Sequence, residues 1–247
     1  MLLKLLKYEI KSSYGRFILA FLVYICVAAV LLIFFRNYQI FNTSLLIFGI
    51  IAIWVITFLT IFQRYNTNLY GNEGYLMLTL PVDGRILLAS KLISALVWLL
   101  MLSLIVIPSI MAITYCYSDI NLINSTHKFI EQNKQYTTIV AVEYILGIIR
   151  SILEIYFSIS ISKLPVWRKF GILAGFGTYI LAEVLNSIPF FLIKKTANYM
   201  DTTVGLNGLA QLYPINNLFF QCFFDLFIFV VLFFATSYLL DNRTSLK

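Results

Sequence analysis

Charged residues are scarce in this chain. Asp, Glu, Lys and Arg make up only 12% of its 247 residues, whereas 61% are hydrophobic. A soluble domain carries about 25% charged residues, and the mean hydropathy of +0.89 points the same way. The composition therefore excludes an ordinary soluble domain and predicts a multi-pass membrane protein.

Residue types and motifs that carry chemistry are also few. The three cysteines, Cys26, Cys116 and Cys222, lie in or beside apolar runs without a C-x-x-C spacing, which argues against a disulfide framework or a zinc site. The single histidine, His127, has no catalytic motif around it. The chain also lacks G-x-x-x-x-G-K-S/T, the loop that cradles nucleotide phosphates. We therefore expect no enzyme active site, metal or cofactor in this chain.

Six apolar segments are long enough to cross a bilayer, which takes about 20 residues as a helix. The first is longer than the apolar region of a signal peptide and no A-x-A site follows it, so we expect an uncleaved span. The predicted fold is an all-α membrane protein, a single domain over 1–247 with six transmembrane helices. The spans are expected at residues 17–36, 43–63, 92–117, 138–162, 170–193 and 216–240.

Basic residues exceed acidic ones and give a net charge of +7. They stand singly between apolar runs, so a nucleic-acid partner is not expected. Lys and Arg near span ends favour the cytoplasm, and twelve of the 18 fall on the side of the N-terminus, which predicts that both termini are inside. These are Lys4, Lys7, Lys11, Arg16, Arg64, Arg85, Lys91, Lys163, Arg168, Lys169, Arg243 and Lys247.

Two segments next to spans are predicted to lie along the membrane surface. In 1–16, four apolar residues fall on one side of a helix and three lysines on the other, which is typical of an interfacial helix on anionic headgroups; the alternative is a basic segment that only sets orientation. On the outer side, 194–216 is flanked by Pro189 and Pro214. It is expected to form short re-entrant or interfacial helices, or an ordinary loop.

The connection between the second and third spans is longer than a link requires. This elbow, 64–91, has 28 residues, whereas seven residues, 163–169, suffice between the fourth and fifth spans. A short helix there would carry Glu73, Leu76, Met77 and Leu80 on one side, which suits contact with a partner protein. Pro81 would end it, and Asp83 and Gly84 would form a turn that leaves Arg85 near the start of the next helix.

The elbow resembles a family motif. Tyr70, Glu73, Gly74, Tyr75, Leu76, Leu80 and Pro81 match the Y-x-x-E-G-Y-L-x-x-x-L-P stretch before the third span of the permease subunits of type-II ABC exporters. The match covers about 64–98. The resemblance implies a coupling helix, including Met77, Asp83 and Arg85, that is seated in a separate ABC ATPase.

The same resemblance extends to partners and substrate. It implies a second permease subunit, identical or related, and it places ATP and Mg in the ATPase rather than in this chain. The chain looks most like the half-size permeases of bacterial peptide exporters, such as those for phenol-soluble modulins and bacteriocins. That likeness implies an amphipathic or hydrophobic peptide as the substrate.

Five ionisable residues fall inside predicted spans: Glu143, Arg150, Glu154, Glu183 and Asp225. Each costs on the order of 3 kcal/mol at a helix centre, so each is expected to face protein or a wet cavity. Glu143, Arg150 and Glu154 form one stripe, and Arg150 and Glu154 are one turn apart and able to pair. The stripe either lines a translocation path or gate, or holds helices in register through ion pairs.

Two other classes of function stay open at this point. The first is an intramembrane enzyme acting on a lipid or peptide, with Glu143 and Glu183 as acid and base. The second is an immunity or scaffold protein that transports nothing. Neither of these two functions explains why the elbow is longer than a link requires.

Overall fold

The computed structural model describes residues 2–34, 38–71, 83–117, 122–167, 170–196 and 215–242. These residues form seven α-helices and one 3-10 turn, and the described part of the chain contains no strand, so the all-α prediction is confirmed. The helices are α1 (Leu2–Phe34), α2 (Gln39–Tyr70), α3 (Gly84–Tyr117), α4 (Leu122–Gln132), α5 (Lys134–Ser162), α6 (Gly171–Thr196) and α7 (Ile215–Asn242), and the 3-10 turn is Pro165–Trp167.

Four of the described helices are long and apolar enough to cross a membrane. Their apolar stretches are Leu2–Ile33, Ile40–Tyr70, Gly84–Ile113 and Ile215–Asp241, which supports the multi-pass membrane class. Helices α5 and α6 cover the other two predicted spans. Six spans and the N-in, C-in orientation stay predictions, and most of the predicted outer segment, 194–216, lies outside the described residues.

The first helix differs from the expectation. An interfacial helix over 1–16 and a separate span from residue 17 were predicted, but α1 runs without a break from Leu2 to Phe34. Nothing in the junction interrupts a helix: there is no proline, and the Ser13 hydroxyl donates to the Glu9 carbonyl within the same helix, at 2.7 Å. The amphipathic segment and the apolar segment that follows it therefore form one continuous helix. Contact of its first turns with lipid headgroups stays a prediction.

The chain divides into two compact units, Met1–Tyr65 with Ala89–Ser125, and Asn66–Leu88 with Thr126–Lys247. In the first unit, α1 packs on α3 through Phe17, whose ring stacks on Trp98 with centroids 4.5 Å apart. Further along α1, the Asn42 amide of α2 donates to the Leu31 carbonyl at 2.9 Å. Polar and aromatic contacts thus fix α1 against both following helices.

In the second unit, α5, α6 and α7 pack together. A close approach of α6 to α5 occurs at Gly175, where an added Cβ would lie 3.0 Å from the Ser162 Cβ and 3.2 Å from the Ser158 carbonyl oxygen. Gly177, half a turn further on, would place a Cβ in open space. The absence of a side chain at Gly175 therefore lets these two helices come together.

Gly175→Leu should destabilise the protein by about 1–3 kcal/mol, the usual cost of overpacking. Gly177→Leu makes the same change in helix propensity on the same helix and should be nearly neutral. Thermal unfolding of both variants in one detergent measures the difference. Equal melting temperatures would show that α5 and α6 do not approach each other at Gly175.

Candidate functional site

A buried carboxylate on α1 joins the two ends of the elbow. Glu9 is 5% exposed; its Oε2 accepts from Arg64 Nη2 at 2.7 Å and its Oε1 accepts from Lys91 Nζ at 2.8 Å. Arg64 lies near the end of α2 and Lys91 near the start of α3. One anion therefore holds the helix that enters the elbow and the helix that leaves it.

The Glu9 side chain is itself held in place by its surroundings. Arg64 Nη2 also donates to the Glu9 backbone carbonyl at 3.2 Å, and Nη1 donates to the Ser12 hydroxyl at 3.4 Å. One turn along α1, Ser13 accepts a hydrogen bond from Trp98 Nε1 at 3.0 Å. Because α2 and α3 each contribute a cation, and α3 also the indole, the cluster fixes the register of three helices.

Sequence reasoning missed Glu9, although two signals point to it. It is the only acidic residue among the first 72, so it is the only internal anion available to the basic residues of that region. It also extends a buried stripe along α1 at spacings of three and four residues: Glu9, Ser13, Phe17, Phe21, Tyr24, Ala28 and Leu31. A charge that continues an apolar stripe is expected to be buried and paired.

Three of the elbow residues predicted to contact a partner are described by the structure. The Tyr70 hydroxyl donates to Ser160 Oγ of α5 at 3.0 Å. The Arg85 guanidinium lies over the Phe234 ring of α7, 5.5 Å from its centroid, and Asp83 is exposed. The remaining predicted contacts, Glu73, Gly74, Tyr75, Leu76, Met77, Leu80 and Pro81, lie outside the described residues.

The start of α3 is capped from another helix. The Gly84 N–H, at the first position of α3, donates to Asp241 Oδ1 at 2.9 Å, and Asp241 lies near the end of α7. A carboxylate at a helix N-terminus satisfies a free N–H and interacts favourably with the helix dipole. Gly84 has no positive φ; a Cβ there would collide with the Asp241 carboxylate, so the carboxylate can occupy this position only while residue 84 is glycine.

The charged residues within the predicted spans form a second cluster, on α5, α6 and α7. As the one-turn spacing predicts, Arg150 Nε lies 3.5 Å from Glu154 Oε1. Arg150 Nη1 also contacts Asp225 Oδ1 on α7 at 3.1 Å, a pairing that the sequence did not indicate. Asn186 of α6 donates to Glu154 Oε1, and Gln221 donates to Asp225 Oδ1 at 3.2 Å.

The other two acidic residues of the predicted spans, Glu143 and Glu183, have different surroundings. Glu143 is half-buried and lies within the electrostatic range of Arg150 and Asp225, while Glu183 is exposed and accepts a hydrogen bond from Tyr179. Glu143 and Glu183 are both in the described part of the chain and make no contact with each other there. The geometry therefore gives no support to their use as an acid and base pair.

No family model, curated protein or solved structure matches this chain. Its resemblance to type-II ABC permeases stays a prediction that rests on the elbow motif.

Glu9→Gln should destabilise the protein by about 3–5 kcal/mol, because Arg64 and Lys91 would be left as neighbouring cations without their anion. Lys11→Gln removes one charge from an exposed position on the same helix and serves as the matched control. Unfolding in detergent measures both. The double variant Glu9→Gln with Lys91→Met, which removes one buried charge of each sign, should regain part of the loss.

Asp241→Ala should cost about 0.5–2 kcal/mol through loss of the cap on α3, whereas Asp241→Asn keeps an acceptor and should cost less. Gly84→Ala should displace the Asp241 carboxylate, so adding Asp241→Ala to it should have little further effect. A double-mutant cycle by chemical unfolding tests this coupling. Additive losses would mean that the two residues do not interact.

Proposed function

We propose that this chain is the membrane-spanning permease subunit of an ATP-driven exporter of the type-II ABC class. The observation that carries the proposal is the bridge from Glu9 to Arg64 and Lys91. A permease that is driven from the elbow needs a firm connection between the elbow and the helices in the bilayer. The bridge lies where such a connection is required, at both ends of the elbow.

Helix length supports the same mechanism. Helices α2 and α3 contain 32 and 34 residues, so at 1.5 Å per residue each is about 50 Å long and continues from the elbow through the thickness of a bilayer. Helix α2, and α3 as far as Pro108, would transmit a displacement at the elbow end along the helix axis. With Glu9 joining them, α1 would move together with α2 and α3.

The rest of the proposal follows from the elbow motif. A separate ABC ATPase binds ATP and Mg and contacts the elbow. A second permease subunit completes the translocation pathway in the cell membrane. The substrate is an amphipathic or hydrophobic peptide that leaves the cell. ATP has to favour one of two arrangements of the helices over the other for this to work.

Purification of the tagged chain from native membranes in mild detergent should recover a P-loop ATPase and ATPase activity. Glu73→Lys in the elbow should abolish the recovery of the ATPase and of its activity, because the reversed charge on the contact surface would repel the ATPase. Glu131→Lys is the control, since it makes the same reversal at an exposed position on α4. Recovery of the chain without an ATPase, or equal binding by both variants, would contradict the proposal.

Glu9→Gln separates coupling from binding in the same assay. It leaves the elbow sequence intact, so the ATPase should still be recovered in the wild-type amount per folded permease, which size-exclusion chromatography quantifies because the variant is destabilised. Stimulation of its activity by the permease should be lost, because the elbow is no longer tied to α1. Full stimulation with Glu9→Gln would exclude the bridge as the coupling element while leaving the partner assignment intact.

A further inference from the structure

The Arg150 cluster holds more negative than positive charge. Two carboxylates, Glu154 and Asp225, share the single guanidinium of Arg150. Both acids are 1% exposed, and the Arg150 side chain is 17% exposed. Two ionised carboxylates would leave a net negative charge out of contact with solvent, which is among the most costly arrangements in a protein interior.

The hydrogen bonds of the cluster show the same imbalance. Three buried acceptor oxygens have no protein partner in the described part of the chain: Glu154 Oε2, Asp225 Oδ2 and Asn186 Oδ1. Arg150 Nε forms an ion pair with Glu154 but no hydrogen bond, so it supplies at most one further donor to the cluster. A buried acceptor without a donor is destabilising, because the hydrogen bond that it made with water is not replaced. The cluster is therefore short of both a positive charge and a donor.

The surrounding described residues supply no positive charge; the buried Ser158 hydroxyl, one turn from Glu154 on α5, likewise has no partner in the described part of the chain. The titratable groups facing the cluster are Glu143 on α5, Tyr179 and Glu183 on α6, and Cys222 on α7. None of these groups carries positive charge. In their ionised forms Glu143 and Glu183 would make the local field more negative, which would increase the need for a cation.

We infer that Glu154 and Asp225 bind one proton between them. A proton on either carboxyl supplies one positive charge and one O–H donor, which are the two things that the cluster lacks. A metal ion fits less well, because the guanidinium that contacts both carboxylates would repel it. A cationic group of a substrate is too large for carboxylates that are 1% exposed.

The inferred site does not depend on the proposed function. Arg150 with either carboxylate alone is a neutral pair, so the proton is needed only while both carboxyls are present. Release of the proton would leave two like charges around Arg150 and would weaken the packing of α5 against α6 and α7. The site thus makes the arrangement of these three helices depend on proton binding.

The test is infrared spectroscopy of the full chain in bilayers near neutral pH. The wild type should show the carbonyl stretch of one protonated carboxylic acid, which is distinct from carboxylate bands. Glu154→Gln and Asp225→Asn should each remove the whole band, because each leaves a neutral pair with Arg150. Loss in both variants is the signature of sharing, since a single residue that is protonated for its own reasons would lose its band in one variant only.

Asp241→Asn, at an exposed carboxylate, and Glu143→Gln, beside the cluster, should both retain the band. Circular dichroism and size-exclusion profiles establish that each variant is folded, and the wild-type spectrum is informative even if a variant is not. Absence of the band in the wild type, or its survival in either cluster variant, would overturn the inference. Stabilisation by Na⁺ or K⁺ in a protein without the band would assign the site to a metal cation instead.

Discussion

A carboxylate that is withdrawn from water has to keep its cations, and this requirement organises the first unit. Transfer of one ion into the interior costs several kcal/mol, which is recovered only through close, well-directed contacts. Glu9 meets the requirement with contacts of 2.7 and 2.8 Å from two different helices. A shift of α2 or α3 along its axis by one turn would move a cation by about 5.4 Å and break the bridge. The relative positions of the three helices are therefore closely specified at the elbow.

Each of the two clusters contains one charged side chain that pairs with two of the opposite sign, and the signs are reversed between the clusters. In the first, one anion is shared by two cations; in the second, one cation is shared by two anions. The excess charge is compensated in different ways because the two clusters differ in solvent exposure. The Arg64 side chain is 14% exposed, so solvent screens part of the surplus positive charge. Glu154 and Asp225 are nearly inaccessible, and for them neutralisation by a proton is the available route.

Sequence reasoning succeeded where local rules decide the outcome. Apolar runs specified the helices, and the four-residue spacing specified the contact of Arg150 with Glu154. It failed for contacts between residues far apart in the chain: Asp225 lies 75 positions from Arg150, and Lys91 lies 82 from Glu9. No local rule indicates which helix faces such a charge. The continuity of α1 was also missed, because amphipathic and apolar patterns in succession do not by themselves require a break in the helix.

The contacts at the ends of the elbow determine how easily those ends can be displaced. On the entering side, Arg64 contacts Glu9 and Tyr70 contacts Ser160; on the leaving side, Gly84 is capped by Asp241. A loop with loose ends would absorb a displacement through its own backbone torsions. Ends that are tied by hydrogen bonds and an ion pair absorb little, because moving them costs the free energy of those contacts. If a partner acts on the elbow as proposed, displacement of its two ends would therefore be passed to α2 and α3.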